Sequence, residues 1–138
     1  MLQKLQKSRG GFTLVEIMIV VAIIALLAAI AVPGFIRARK RAQASRILED
    51  LRLIDAAIDQ YAIETNKSTG QAVNWNPDII SYLKPQSQLY TSGTSVLGQS
   101  YAGMTWAVDA SISTPTGTGN AVGNVTGTEF WLPFTLVP

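Results

Sequence analysis

The chain has 138 residues, of which 48% are hydrophobic and only 14% charged, with a formal net charge of +2 and neither Cys nor His. The charged share lies well below the usual figure of about 25%. Without Cys there is no disulfide scaffold, no thiolate metal site and no thiol nucleophile; without His a Ser-His-Asp hydrolase is excluded and the commonest zinc ligand is missing.

The length fits one small domain plus an extra segment. The segment comes first. MLQKLQKSRGG is short and polar and carries Lys4, Lys7 and Arg9. The 21 residues from Phe12 to Val32 then contain a single charge, Glu16. A helix of that length rises about 30 Å, the hydrocarbon thickness of a bilayer. A soluble core helix would show a polar face, and a secretory signal peptide would have a shorter apolar region ending at a small-residue cleavage site. The run therefore predicts membrane residence. Arg37, Arg39, Lys40 and Arg41 follow it. With basic residues on both flanks, charge counting alone does not orient the segment.

Glu16 is the most informative residue. At mid-membrane a carboxylate costs about 2.5–3.5 kcal/mol on insertion scales. It either snorkels near the helix start, helped by the helix dipole, or awaits a cation. At Val32-Pro33-Gly34 the pattern changes. Pro33 removes an amide hydrogen and Gly34 adds freedom, which predicts a kink or a locally melted stretch inside one long helix, because the apolar pattern then resumes.

Over residues 35–65, Ile47, Leu51, Ile54, Ile58 and Tyr61 recur at steps of four and three, one apolar stripe of a helix that packs on a small sheet. Arg46 with Asp50 and Glu49 with Arg52 have ion-pair spacing. The Arg37–Arg41 cluster reads as a headgroup-level flank rather than a phosphate or nucleic-acid patch. Asn66-Lys67-Ser68-Thr69-Gly70 stops the helix, with Gly70 as the end signal. A short helix follows over 76–83, capped by Asn76, with Pro77 in its first turn and Pro85 beyond its end. Residues 100–108 and 128–136 are the strand candidates, with Leu89–Tyr90 a weaker one and Pro133 marking an edge. The uncharged Gly/Thr-rich stretch 113–128 reads as an exposed loop. Trp75 and Trp106 read as packing residues. Two Asn-x-Ser/Thr triplets, at Asn66 and Asn124, are weak signals.

The stretch from Lys7 to Ala42, with Gly11 followed by Phe12-Thr13-Leu14-Val15-Glu16 and the apolar run, resembles the amino-terminal signature of type IV pilins and type II secretion pseudopilins. The resemblance implies cleavage between Gly11 and Phe12 by a prepilin peptidase on the cytoplasmic side, N-methylation of Phe12, and pairing of the Phe12 amine with Glu16 of a neighbouring subunit. Loss of Lys4, Lys7 and Arg9 leaves eight cations against nine acids, a formal −1, so the basic precursor is poor ground for expecting a nucleic-acid partner. It also implies an α+β, pilin-like fold: a leader (1–11), a transmembrane or filament-core helix half (12–34), an amphipathic half (35–65) and a globular head (66–138) with a short helix and a small antiparallel sheet.

Leu97-Gly98-Gln99-Ser100-Tyr101 is similar to the Gly-x-Pro-Tyr segment of major pseudopilins, with Ser100 in place of Pro. Such pseudopilins often hold calcium in a later acidic loop. Here that region offers only Asp109 and Glu129, too few for six to eight oxygens, and no metal or other cofactor is expected. Pilins often close this end with a disulfide; here Phe130, Trp131, Leu132, Phe134 and Leu136 would hold it by packing on the helix. The implied partners are copies of the chain in a helical filament, the prepilin peptidase, an inner-membrane assembly platform, minor pilins or pseudopilins, and membrane lipid before assembly. The implied location is a single pass through the inner membrane with the head outside the cytoplasm, then a periplasmic pseudopilus or an extracellular pilus. The expected role is a major pseudopilin-like structural subunit of type II secretion. The alternatives are a type IV pilin for adhesion, motility or DNA uptake and a membrane-anchored binding module. Asp109 and Glu129 are the only acids in the final third, and nothing in the sequence brings them together for catalysis.

Overall fold

The computed structural model describes residues 11–122 and 125–138; most of the leader, and Asn124 of the second glycosylation triplet, lie outside them. The described residues form two compact units, the first ending at Ile36 and the second spanning Arg37–Pro138.

One helix, α1 (Leu14–Thr65), runs through both. It stays helical through Pro33 and Gly34, so the locally melted alternative is not found there. In the first unit every described side chain is exposed, including Phe12 (83%) and Ile30 (74%). A continuous apolar surface of this extent marks a membrane or protein contact.

In the second unit α1 becomes one-sided. Ala44, Ile47, Leu48, Leu51, Ile54, Ala57, Ile58 and Ala62 are buried. The predicted stripe is the floor of the core, although Tyr61, at its end, is only half-buried. The helix ends earlier than Gly70. Asn66 adopts the left-handed conformation (φ 56°), and the amide of Lys67 reaches back to the carbonyl of Ala62 at 3.0 Å. That six-to-one bond satisfies a carbonyl the helix end would otherwise orphan. Gly70 (φ 82°) instead turns the chain into the sheet, its amide bonded to the carbonyl of Val108 at 2.8 Å.

The sheet is smaller than expected: β1 (Ala72–Val73) pairs antiparallel with β2 (Trp106–Ala107), Val73 opposite Trp106. Of the 100–108 candidate only these two residues are strand, with one bridge between Thr94 and Ser100. In 128–136, Thr128–Trp131 is a 3-10 turn, and only Thr135 makes a bridge, parallel, to Ser113. Leu89–Tyr90 lies in a helix, α2 (Gln88–Ser92), capped by the Ser87 hydroxyl at 3.1 Å from the amide of Tyr90.

The short helical stretch occurs as Trp75–Ile79 followed by Ile80–Tyr82. Asn76 is inside it with extended backbone; the N-cap position is Asn74, which makes no side-chain cap bond, and Asp78 Oδ2 accepts its amide at 2.9 Å. The 113–128 stretch is not an exposed loop either. It contains α3 (Thr118–Val122) and buries Thr114, Pro115, Thr118, Val122 and Thr126. The architecture is α+β, with a head built mainly from loops on the second half of α1.

Candidate functional site

The first residues of α1 form a closed polar device at the head of an apolar helix. Thr13 precedes the first helical residue. Its hydroxyl accepts the amide of Glu16 at 3.2 Å, and Glu16 Oε2 accepts the Thr13 amide at 2.8 Å and the Thr13 hydroxyl at 2.9 Å. This reciprocal arrangement is a capping box, which satisfies two of the helix's orphan amides. Glu16 Oε1 takes no part in these three bonds. Thr13 is not singled out by the reading of the motif, although Thr-x-x-Glu before an apolar run is the sequence signal of the box.

Phe12 and Gly11 lie just ahead of the helix and are exposed. A Cβ built on Gly11 meets nothing within 4 Å, so packing gives no reason for glycine there. Gly34 is equally free, with nothing within 4 Å.

The head residues singled out by sequence have structural contacts. Trp106 is buried, and its indole N–H donates to the carbonyl of Tyr101 at 3.2 Å. Trp75 lies parallel to the Tyr101 ring at 6.5 Å between centroids. Asp50 accepts the Tyr101 phenol at 3.2 Å, and the Arg46 charge also acts on it. Burial pushes its carboxyl above the ordinary range, partly offset by that hydrogen bond. Asp109 accepts the Thr69 hydroxyl at 2.7 Å, while Glu129 lies on the Thr128–Trp131 turn. Among the described residues no group of three or more carboxylates converges on a metal-sized site.

The carboxyl end is held by more than aromatic packing. Trp131 and Phe134 are buried and Phe130 and Leu136 partly so, but Leu132 is 66% exposed and does not contribute. The rest is backbone. The amides of Gly117 and Gly119 donate to the carbonyls of Pro138 (2.9 Å) and Val137 (2.8 Å), and the amide of Val137 donates to the Thr114 hydroxyl (2.9 Å).

A family profile described as the prokaryotic N-terminal methylation motif matches residues 6–32. The type II secretion system core protein G of Pseudomonas aeruginosa is 36% identical over 95 residues, covering 57% of this chain and 66% of that relative. The type IV major fimbrial protein FimA of Dichelobacter nodosus is 39% identical over 74 residues, covering 54% of this chain and 44% of FimA. The core protein G of Klebsiella pneumoniae is 33% identical over 63 residues, covering 46% and 44%. The chain thus spans between 44% and 66% of the length of these relatives. No solved structure matches it. The methylation motif, the capped apolar helix and the two kinds of named relative agree, and together they support a member of the family of type IV pilins and type II secretion pseudopilins.

Proposed function

We propose that this chain is a structural subunit of a helical filament. It enters a membrane as a precursor with the leader in the cytoplasm and the head on the far side. A prepilin peptidase cuts it between Gly11 and Phe12 and methylates Phe12. The chain then polymerises through the exposed apolar half of α1. No enzymatic activity belongs to this reading.

The observation that carries it is the Thr13–Glu16 box at the start of a wholly exposed apolar helix. Packing such helices together buries the carboxylate, and an uncompensated buried charge is costly. Cleavage creates an ammonium at Phe12, and methylation leaves it protonatable. The box holds Glu16 through Oε2, leaving Oε1 for the Phe12 ammonium of a neighbour. The pair offsets both costs and fixes axial register, a use to which buried polar groups are put.

The filament we favour is a type II secretion pseudopilus. The match to the Pseudomonas core protein G reaches over 66% of that relative, whereas the FimA match reaches over 44% of FimA. The Cys-free head points the same way. A type IV pilus is the second reading, kept by the 39% identity to FimA.

The test is the intact mass of membrane-extracted protein, with and without active prepilin peptidase. A chain starting at methylated Phe12 only when the peptidase is active supports the subunit reading. A chain still starting at Met1 overturns it in favour of an anchored binding module. Glu16→Leu and Glu16→Ala are expected to insert and be processed but to give few filaments; normal filament yield would sink the amine–carboxylate pairing.

A further inference from the structure

Arg37, Arg39, Lys40 and Arg41 are four cations in five residues of α1. At about 100° per residue, Arg39, Lys40 and Arg41 lie roughly 200°, 300° and 40° around the axis from Arg37. Arg37, Lys40 and Arg41 therefore share an arc of about 100°, and Arg39 stands on the opposite side of the helix. Their axial span is about 6 Å, close to the depth of one headgroup layer. Arg37, Arg39 and Arg41 are exposed and Lys40 is half-buried. No acid occurs in the sequence between Glu16 and Glu49, so the collar has no carboxylate of its own stretch to neutralise it. It begins where the apolar sequence ends at Phe35-Ile36.

We propose that this collar is a binding site for anionic phospholipid headgroups in the leaflet facing the head. The inference rests on the membrane-inserted reading of the subunit. Three of the four groups are guanidiniums, whose forked donors match phosphate oxygens in pairs. Charge on both sides of the helix suits a partner that surrounds it, as lipid does. An acidic patch on a neighbouring protein facing Arg37, Lys40 and Arg41 would leave Arg39 unpaired. The placement also runs against the tendency of basic residues to stay on the cytoplasmic side. Anionic headgroups on the far side compensate for that. When the leader is removed, Lys4, Lys7 and Arg9 go with it, and the collar becomes the dominant cationic feature flanking the apolar run.

The test reconstitutes the full chain into vesicles of phosphatidylcholine alone or mixed with phosphatidylglycerol. Resistance to an alkaline carbonate wash in both vesicles tests insertion, independently of the collar; extraction from both overturns the membrane reading and the collar site with it. Lipids co-purifying from the mixed vesicles, identified by mass spectrometry, test the site. Wild type is expected to retain phosphatidylglycerol over phosphatidylcholine by about tenfold or more, each cation at an anionic surface being worth about fivefold. Arg37→Gln/Arg39→Gln/Lys40→Gln/Arg41→Gln is expected to insert and lose that preference, while Lys67→Gln/Lys84→Gln keeps it. Should the quadruple variant fail to insert, raising NaCl on the wild type must erase the preference progressively. An unchanged preference in the inserted quadruple variant, or none in the wild type, overturns the proposal. So does displacement by millimolar inorganic phosphate, which would make the collar a generic anion site. Loss of filaments with lipid preference intact would move the collar to a protein partner.

Discussion

The phenol of Tyr101 donates to Oδ2 of Asp50 at 3.2 Å, joining residues 51 positions apart. Tyr101 is wholly buried, and desolvation together with the adjacent Asp50 charge holds its proton on far above the ordinary value of 10. The bond pins the 97–101 segment to the middle of the second half of α1. Removing the donor strands a half-buried carboxylate, which costs more than the bond itself is worth. Tyr101→Phe is therefore expected to destabilise the head by about 1–3 kcal/mol. Asp50→Asn keeps an acceptor, sheds the buried charge and should cost less or nothing. Urea unfolding followed by Trp fluorescence separates the two; equal losses would contradict this account.

The acid side of the stability profile should carry two opposing slopes. Burial raises Asp50 above its ordinary 3.8, and burial plus the charges of Asp59 and Asp109 raises Asp55. In the window above 3.8 the folded chain then binds more protons than the unfolded one, so stability rises as pH falls through it. Glu64 is the reverse: hydrogen bonds from Tyr82 (2.5 Å) and Gln60 (2.7 Å) hold it below its ordinary 4.5. Its contribution is present above 4.5 and is lost as pH falls below it. Melting temperature against pH should lose part of the rise in Asp50→Asn, Asp55 keeping the remainder, and should lose part of the acid-side fall in Tyr82→Phe. Parallel profiles for all three proteins would refute the assignment.

The stripe on α1 sets up a sharp contrast between neighbours. Ile54 is fully buried and Leu53 is 49% exposed. Ile54→Ala is expected to cost about 2–5 kcal/mol through lost burial and a residual cavity. Leu53→Ala should stay within about 1 kcal/mol. The same unfolding measurement reads both, and comparable losses would mean that the helix faces are misassigned.

Gly119 is required by proximity. A Cβ there would sit 2.9 Å from Cα of Pro138 and 3.0 Å from the carbonyl oxygen of Val137, both backbone atoms that cannot simply rotate away. Gly119→Ala must push the carboxyl-terminal segment off α3. A loss of about 1–3 kcal/mol is expected, as for other overpacked sites. Hydrogen exchange at Gly117 and Gly119 should accelerate; unchanged protection would show that the segment gives way freely.

What was legible in the sequence follows from how strong each local signal is. The apolar run and the Ile47–Ile58 stripe could be read because a helix places one face by its own period, whatever it packs on. The sheet could not. Residues 100–108 and 128–136 have strand-like composition, but only Trp106–Ala107 is strand, and most of the rest satisfies its backbone through turns and side chains. The polar 113–128 stretch misled in the other direction. Thr118 and Thr126 are buried because their hydroxyls donate to the carbonyls of Pro115 (2.7 Å) and Val122 (3.3 Å), which removes the penalty of burying them. Composition counts hydroxyls and does not see their partners. At the amino-terminal site Gly11, Phe12 and Glu16 stood out through the motif, while Thr13 is identified by hydrogen bonds in the structure.

The stripe that builds the core also makes the second half of α1 a shaft through which force reaches the head. Ile47, Leu51, Ile54 and Ile58 are all inserted in the head. Sliding the head along the shaft by one turn, about 5.4 Å, would unseat all four together, and turning it would expose them to water. Axial pull or torque on this part of the helix is therefore shared among these contacts in parallel rather than concentrated on one of them. Under force the head should travel with its shaft until the whole interface shears at once.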